Sequence, residues 1–330
     1  KLKLFYYINI NKMTYSFIDL FAGIGGFRYA LEKYDCKCVF SSEIEKNAVS
    51  IYEKNFKDKP KGDIRHINVE DIPPHDILCG GFPCQSFSIC GKKNGLNDTR
   101  GNLFYEIMRI VDYHKPKLIL LENVKNISTM NDGKILKVIK DKLEESGYKL
   151  YYKVLNSVYF GVPQCRERTY FVAYLNSIDI EYEFPKNDIL NLKCIKDILD
   201  PEEMVNTKLI INKENFSITN SKPRYVKPYK PCKIQNIGKG RQGERIYSIN
   251  YPGITICSSS GGIGSKTGLY KVNDKIRKLT VNECRKMFSF PDTFEYDGKS
   301  CLTLQSKFGN AVVVNVISSI FDEILKLNIM

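Results

Sequence analysis

Residues 15–21 form a short apolar and β-branched run, a glycine cluster (Gly23, Gly25, Gly26) follows, and Phe27, Ala30, Leu31 and Tyr34 then recur at helical spacing. This pattern predicts a strand, a tight turn and a helix. A second strand over 38–42 ends at Glu43, a helix is predicted over 46–56, and Gly62-Asp63-Ile64 is placed at the end of a third strand. Residues 76–79 read as a short buried strand bounded by Gly80-Gly81, and 117–124 as a nearly continuous apolar strand. The 3.6 period returns over 135–143, and 148–158 and 169–175 have strand composition. Strands alternating with helices predict an α/β fold built on a doubly wound parallel sheet.

The character changes after about residue 185. Residues 221–245 hold eight Lys or Arg against one Glu, with three prolines and several glycines, and little sustained periodicity. The predicted organisation is a first domain over 1–190, a smaller, basic, loop-rich domain over 191–280, and a returning segment over 281–330. In the last of these, 311–327 reads as an amphipathic helix after Phe308-Gly309-Asn310, expected to pack back on the first domain.

Composition narrows the class. The 330 residues, 43% hydrophobic and 26% charged, are those of a soluble globular chain of about two domains, with no apolar run near the roughly 20 residues of a membrane span. A net charge of +13 favours a polyanionic partner but is equally common in lysine-rich proteomes. Eleven cysteines, an odd number without a C-x-x-C pair, point to a reducing cytoplasm. Met13 is the expected natural start, with residues 1–12 dispensable. Three histidines (His66, His75, His114) without ligand spacing give no expectation of a metal site.

The chemistry concentrates at strand ends. The turn Gly23-Ile24-Gly25-Gly26 lets a backbone approach a ligand closely, although a plain tight turn fits the same residues. Glu43 is placed to accept hydrogen bonds from ribose hydroxyls, or is a surface carboxylate. Asp63 is placed to receive an adenine amino group, though alone it reads as a surface residue. In Gly80-Gly81-Phe82-Pro83-Cys84-Gln85-Ser86-Phe87-Ser88 the composition is poor for a core, so Cys84 is expected to face a cleft. Oriented amides or an arginine would lower its pKa and make it a nucleophile. The other ten cysteines are expected to be small buried hydrophobes. Glu122 ends an apolar strand, where a carboxylate is costly unless hydrogen-bonded or functional; partly protonated, it can donate to a ring nitrogen and accept from an exocyclic amine. Arg166 and Arg168 are either solvated or hold a base carbonyl or phosphate.

Six segments occur in one order across 14–330: Phe21-Ala22-Gly23-Ile24-Gly25-Gly26, Gly81-Phe82-Pro83-Cys84-Gln85, Glu122-Asn123-Val124, Gln164-Cys165-Arg166-Glu167-Arg168, Arg277-Lys278-Leu279-Thr280 and Gly309-Asn310. Together they resemble the DNA (cytosine-5-)methyltransferases of bacterial type II restriction-modification systems. The resemblance implies a Rossmann-like S-adenosylmethionine-dependent methyltransferase fold with a target-recognition domain. It implies Cys84 as the nucleophile at C6 of a flipped-out cytosine, Glu122 at N3 and the amino group, and Arg168, with Arg166, at the ring carbonyl. The cofactor, which leaves as S-adenosylhomocysteine, would lie against Phe21, Gly23, Ile24, Gly25, Gly26, Pro83, Leu103, Asn310 and Ala311, with Glu43 and Ile44 at its ribose and Asp63 and Ile64 at adenine. Two departures stand out: Ile44 where an aromatic residue is frequent, and Ala311 where serine is frequent.

The loop over 86–102, with Lys92, Lys93 and Arg100 to meet phosphates, is expected to close over the base. Gln85, Ser88 and Arg100 are its implied DNA contacts. The segment 238–245 resembles the recognition segment of the GCGC-recognising subgroup, with Arg245 reading guanine and Gln242 filling the vacated stack; a solvated basic loop is the plain alternative. Ser259, Gly261 and Gly262 correspond to a second recognition loop, with Ser259 where that subgroup has an aromatic. The implied partner is double-stranded DNA, met by a monomer in the cytoplasm at the nucleoid, with a cognate restriction endonuclease as a functional partner only. A tRNA cytosine-5 methyltransferase of the same architecture and a catalytically silent DNA-binding regulator are the alternatives.

Overall fold

Segments with no polar face occupy the centre of the molecule: β1 (Ser16–Leu20), β3 (Ile77–Gly81) and β4 (Leu118–Val124) are buried along nearly their whole length. Strands of this kind need cover on both sides, which helices provide. The computed structural model describes residues 14–83, 103–178, 180–222, 225–296 and 298–327. With β2 (Lys37–Ser42), β5 (Tyr148–Asn156) and β7 (Glu167–Leu175), these strands form a six-stranded sheet in the order β2-β1-β3-β4-β7-β5. The first four are mutually parallel, whereas β7 runs antiparallel to both β4 and β5. The doubly wound α/β expectation holds, with this reversal as the departure from an all-parallel sheet.

Helices α1 (Gly26–Leu31) and α2 (Lys46–Phe56) contribute to the core on one face. The opposite face is covered by α3 (Leu103–His114) and α4 (Lys134–Glu145), the latter burying Ile135, Ile139 and Leu143 at four-residue spacing. The boundaries of α2 follow from its ends: the Glu45 side chain accepts from Ala48 N–H at the start, and Lys57 is left-handed at the finish. No strand forms at Gly62-Asp63-Ile64. Asp63 instead caps a short 3-10 turn over Ile64–His66, because its carboxylate accepts from Arg65 N–H.

Beyond β6 (Gln164–Cys165), the expected loop-rich region is more regular than its composition implied. A five-stranded sheet joins β8 (Ile218–Asn220), β9 (Lys233–Ile237), β10 (Arg245–Ser248), β12 (Leu269–Val272) and β13 (Lys275–Arg277) over a small core of Ile237, Ile246, Leu269 and Ile276. Short strands with polar outer faces hide the period-2 signal. The intervening β11 (Gly253–Ile254) pairs with β6, so this region is stitched to the larger one rather than merely tethered.

Three helices close the chain: α5 (Val281–Met287), α6 (Cys301–Asn310) and α7 (Val314–Leu325). The expected helix over 311–327 begins at Val314; residues 311–313 are a break after α6. Cys301–Leu325 is apolar and long enough to span a membrane, but the break divides it and 61% of its most apolar stretch is buried in the protein. Buried positions of α7 join the same core as α1.

At the junction, Arg277 and Glu283 form a buried bidentate pair (2.8 and 2.7 Å), and Glu283 also accepts from Thr280 N–H and Asp200 N–H. Removing one partner strands the other charge away from water. Glu283→Ala is expected to destabilise the fold by about 3–5 kcal/mol, read as a lowered urea midpoint; a loss within a few tenths of a kcal/mol would show that the junction carries no such charge.

Candidate active site

Carboxyl ends of parallel strands converge on one edge, and there the large sheet opens a cavity of about 670 Å³. The turn after β1 enters it with Phe21 and Gly23 both in left-handed backbone (φ 56° and 55°), and with Ile24. Glu43, at the end of β2, is held by three backbone donors: Gly23 N–H at 2.9 Å, and Ile44 and Glu45 N–H at 2.8 Å each. Its carboxylate is thereby fixed at the cavity wall. Asp63 and Ile64 line the next stretch; bonding to Arg65 holds the Asp63 carboxyl below its usual pKa. Leu103, the first residue of α3, and Asn310, the last of α6, also line the cavity.

Two expected cofactor glycines stand back from it. A Cβ on Gly25 would meet the Phe56 ring at 2.2 Å and one on Gly26 would meet Val312 at 2.6 Å, so these positions serve the turn and helix packing. Ala311 is buried and lies outside the lining. Ile44 lines the cavity yet remains 65% exposed, an aliphatic flank where an aromatic face was the expected partner.

The opposite end is where the chemistry is built. Gly81, the last residue of β3, is in register with Glu122 on β4, so the segment Gly81-Phe82-Pro83 leaves the sheet beside that carboxylate. Because β7 is antiparallel, its first residues lie at this same edge, and Arg168 pairs with Val124. Arg168 Nε stands 3.2 Å from Glu122 Oε1, but off the hydrogen-bonding direction, so this buried oxygen accepts no hydrogen bond among the described residues. Burial raises the Glu122 pKa, with Arg168 and then Arg166 opposing it.

Arg166 also lines the cavity, but its guanidinium is held by backbone: it donates to the carbonyls of Ile256, Gly309 and Ala311 at 3.2, 3.2 and 2.9 Å. Its cation lies over the Phe288 ring, and burial lowers its pKa to about 10. Those donors fasten three remote segments, its Nε is buried with no partner among the described residues, and Arg168 is the arginine paired with Glu122. The fastened segments touch, since a Cβ on Gly309 would lie 2.2 Å from Ser258 N.

Several lining residues carried no expectation. Asn123 Nδ2 donates to the Phe82 carbonyl at 2.7 Å while its Oδ1 accepts from Val124 N–H, fixing the start of the segment that leads to residue 84. Its place beside Glu122 was the only sequence signal. Lys307, paired with Glu45 at 2.6 Å, and Ser258 reach the cavity from far along the chain, and no local pattern marks them.

Cys84, Gln85, Ser88, Arg100 and the loop over 86–102 lie outside the described residues. In the smaller sheet region, Gln242 and Arg245 are exposed at a 3-10 turn, as are Ser259, Gly261 and Gly262. The two loops meet: Gly264 N–H donates to the Gly243 carbonyl at 2.8 Å, and a Cβ on Gly243 would sit 2.4 Å from the Gly261 carbonyl oxygen.

Residues 15–326 match the family described as C-5 cytosine-specific DNA methylase. Over 305 residues the chain is 45% identical to the type II methyltransferase M.HhaI of Haemophilus parahaemolyticus, spanning 92% of each. It is 44% identical over 306 residues to M.HaeII of Haemophilus aegyptius, spanning 93% of this chain and 91% of that one. The fold is shared with the Entamoeba histolytica methyltransferase EhMeth (TM-score 0.73, 22% identity, 95% of this chain and 98% of that one). It is shared also with S. pombe Dnmt2 (TM-score 0.74, 20% identity, 94% and 98%).

The raised pKa of Glu122 has a stability signature. Its native form binds a proton more tightly than the unfolded chain, so its contribution is fully present below the ordinary value of 4.5 and is lost as pH rises through the higher folded value. Relative to wild type, Glu122→Gln is expected to gain stability across that window in urea titrations at successive pH values. Parallel curves for the two proteins would place the carboxyl in water.

Proposed function

This chain belongs to the C-5 cytosine-specific DNA methylase family and is a DNA cytosine-5-methyltransferase, and from that premise we propose that it methylates C5 of a flipped-out cytosine in the duplex sequence GCGC, by way of a transient bond from Cys84 to C6. The observation that carries this reading is the buried Glu122 beside Arg168, at the point where the chain leaves β3 toward residue 84.

Extrusion of the base costs roughly a few kcal/mol and exposes C6. The Cys84 thiolate adds to C6 as Glu122, protonated, donates to N3 and accepts from the amino group; Arg168 holds the ring carbonyl. Electron density moves to C5. S-adenosylmethionine, the methyl donor of this family, supplies an electrophilic methyl group when bound. The methylated ring then gives its C5 proton to water, returns the N3 proton to Glu122 and expels the Cys84 thiolate, restoring the aromatic system. Glu43 suits a ribose, since its fixed carboxylate retains acceptor capacity, with Ile44 beside it; Phe21, Gly23, Ile24, Pro83, Leu103 and Asn310 would enclose the nucleoside, and Asp63 and Ile64 would border its base. Arg166 acts as a positioning residue.

In this reading, residues 1–190 bind cofactor and catalyse, 191–280 select the target and 281–330 return to complete the first domain. Gln242, Arg245, Ser259, Gly261 and Gly262 meet the bases, and Gln85, Ser88 and Arg100 close from the other side. The enzyme acts as a monomer on cytoplasmic DNA.

Cys84→Ser is expected to abolish methyl transfer and covalent trapping on 5-fluorocytosine DNA while duplex binding persists; near-normal turnover would remove Cys84 from its role. Bisulfite mapping of DNA from a host expressing the protein should place the methyl group at the inner cytosine of GCGC. Another mapped site would reject that specificity while leaving the chemistry intact, and methylation of tRNA in preference to duplex DNA would reject the substrate.

A further inference from the structure

A basic, aromatic strap over residues 225–233 leads into β9, and its place in the fold goes beyond the exposed recognition loops. The Tyr229 carbonyl accepts from the Cys165 thiol at 2.9 Å, and the Tyr229 ring stands 5.8 Å from the Tyr159 ring. Burial pushes the Cys165 pKa up to about 12, which keeps that thiol a donor. A turn closes the strap on itself, with Lys230 N–H donating to the Lys227 carbonyl at 2.9 Å. The Nζ atoms of Lys227 and Lys230 lie 5.7 and 5.9 Å from the Tyr229 ring centroid. One aromatic ring thus steadies two ammonium groups that would otherwise repel. Pro228 and Pro231 further restrict the backbone between and after them.

Both lysines are exposed, as are Lys222 and Lys233 nearby, and among the described residues no carboxylate pairs with any of the four. Glu167, the carboxylate whose charge reaches this corner, is held by Lys125 at 2.9 Å. The platform is also one residue away from Arg166 of the cavity wall. Two ammonium groups gathered at one ring, without a carboxylate partner among the described residues, suit phosphate oxygens, and ammonium groups read no base pattern when they meet the backbone. We propose that Lys227 and Lys230, carried on Tyr229, clamp the phosphate backbone of the DNA and supply affinity without sequence preference. This rests on the reading of the chain as a duplex-DNA methyltransferase.

The test compares wild type with Lys227→Gln/Lys230→Gln, measuring affinity for target and non-target duplexes across salt concentration, with S-adenosylhomocysteine binding as the check of folding. Each phosphate contact contributes about 0.9 to the slope of log K against log salt, so the double variant should lower the slope by about 1.8 on both duplexes and leave their affinity ratio unchanged. The single variants, each expected to lower it by about 0.9, decide the matter if the double variant loses S-adenosylhomocysteine. The charge-retaining Lys227→Arg/Lys230→Arg protein should keep the wild-type slope. An unchanged slope in the Gln variants, or a loss confined to the target duplex, overturns the clamp; absence of duplex binding by wild type overturns the substrate reading itself.

Discussion

A carboxylate removed from water is the constraint from which the arrangement at the sheet edge follows. Glu122 is 8% exposed, and one of its oxygens accepts no hydrogen bond among the described residues. Burying a lone charge is costly, so it must be neutralised by a proton or compensated by a cation. Arg168 provides the cation, and it does so only because β7 reverses direction. In a parallel strand the first residues would lie at the far edge of the sheet, on the order of 20 Å away for a strand of typical length. The reversal that departs from simple alternation is therefore the feature that assembles the pair.

Arg166 carries the same constraint outward. It adds a second positive charge near Glu122, and its own burial is tolerated because Ile256, Gly309 and Ala311 accept its hydrogen bonds. Those acceptors come from the smaller sheet region, from the end of α6 and from the break before α7. A single guanidinium thus connects the wall of the cavity to segments about ninety and more positions away in sequence. The close backbone approach at Gly309 belongs to this junction, since no side chain fits between it and Ser258. Cavity shape and inter-domain packing are consequently one problem.

What the sequence made legible is what depends on local order. The strands β1 to β5, the helix over 46–56 and the convergence of Gly23, Glu43, Gly81 and Glu122 on one edge followed from periodicity and from the rule that ligands sit at carboxyl ends. Asp63 reached the cavity without the strand expected to carry it, because its own side chain captured Arg65 N–H and turned the backbone. The orientation of β7 left no local trace, nor did the division between Arg166 and Arg168: two arginines flanking one glutamate look equivalent until the carbonyls of distant segments are in place. Lys307 and Ser258 reach the cavity only after the chain has returned from the smaller region.

The same contrast separates the sheet edge from the exposed turns of the smaller region. Glu122 and Arg168 stand on strands of a sheet packed on both faces, which limits how far either can shift. Gln242 stands on an exposed turn, Arg245 at the start of β10 and Ser259 on an exposed loop, and turn and loop are joined by backbone: Gly243 and Gly264 share a hydrogen bond, and Gly243 lies against Gly261. The Gln242 and Ser259 side chains take no part in that contact, so they can change without disturbing it, whereas the Arg245 Nε donates to the Gly240 carbonyl at 3.4 Å and helps hold its own turn. The glycines have no such freedom, because a methyl group at 243 would drive the two loops apart. The backbone contact at Gly243 thus holds the shape of these two loops, apart from the strands that carry the buried carboxylate.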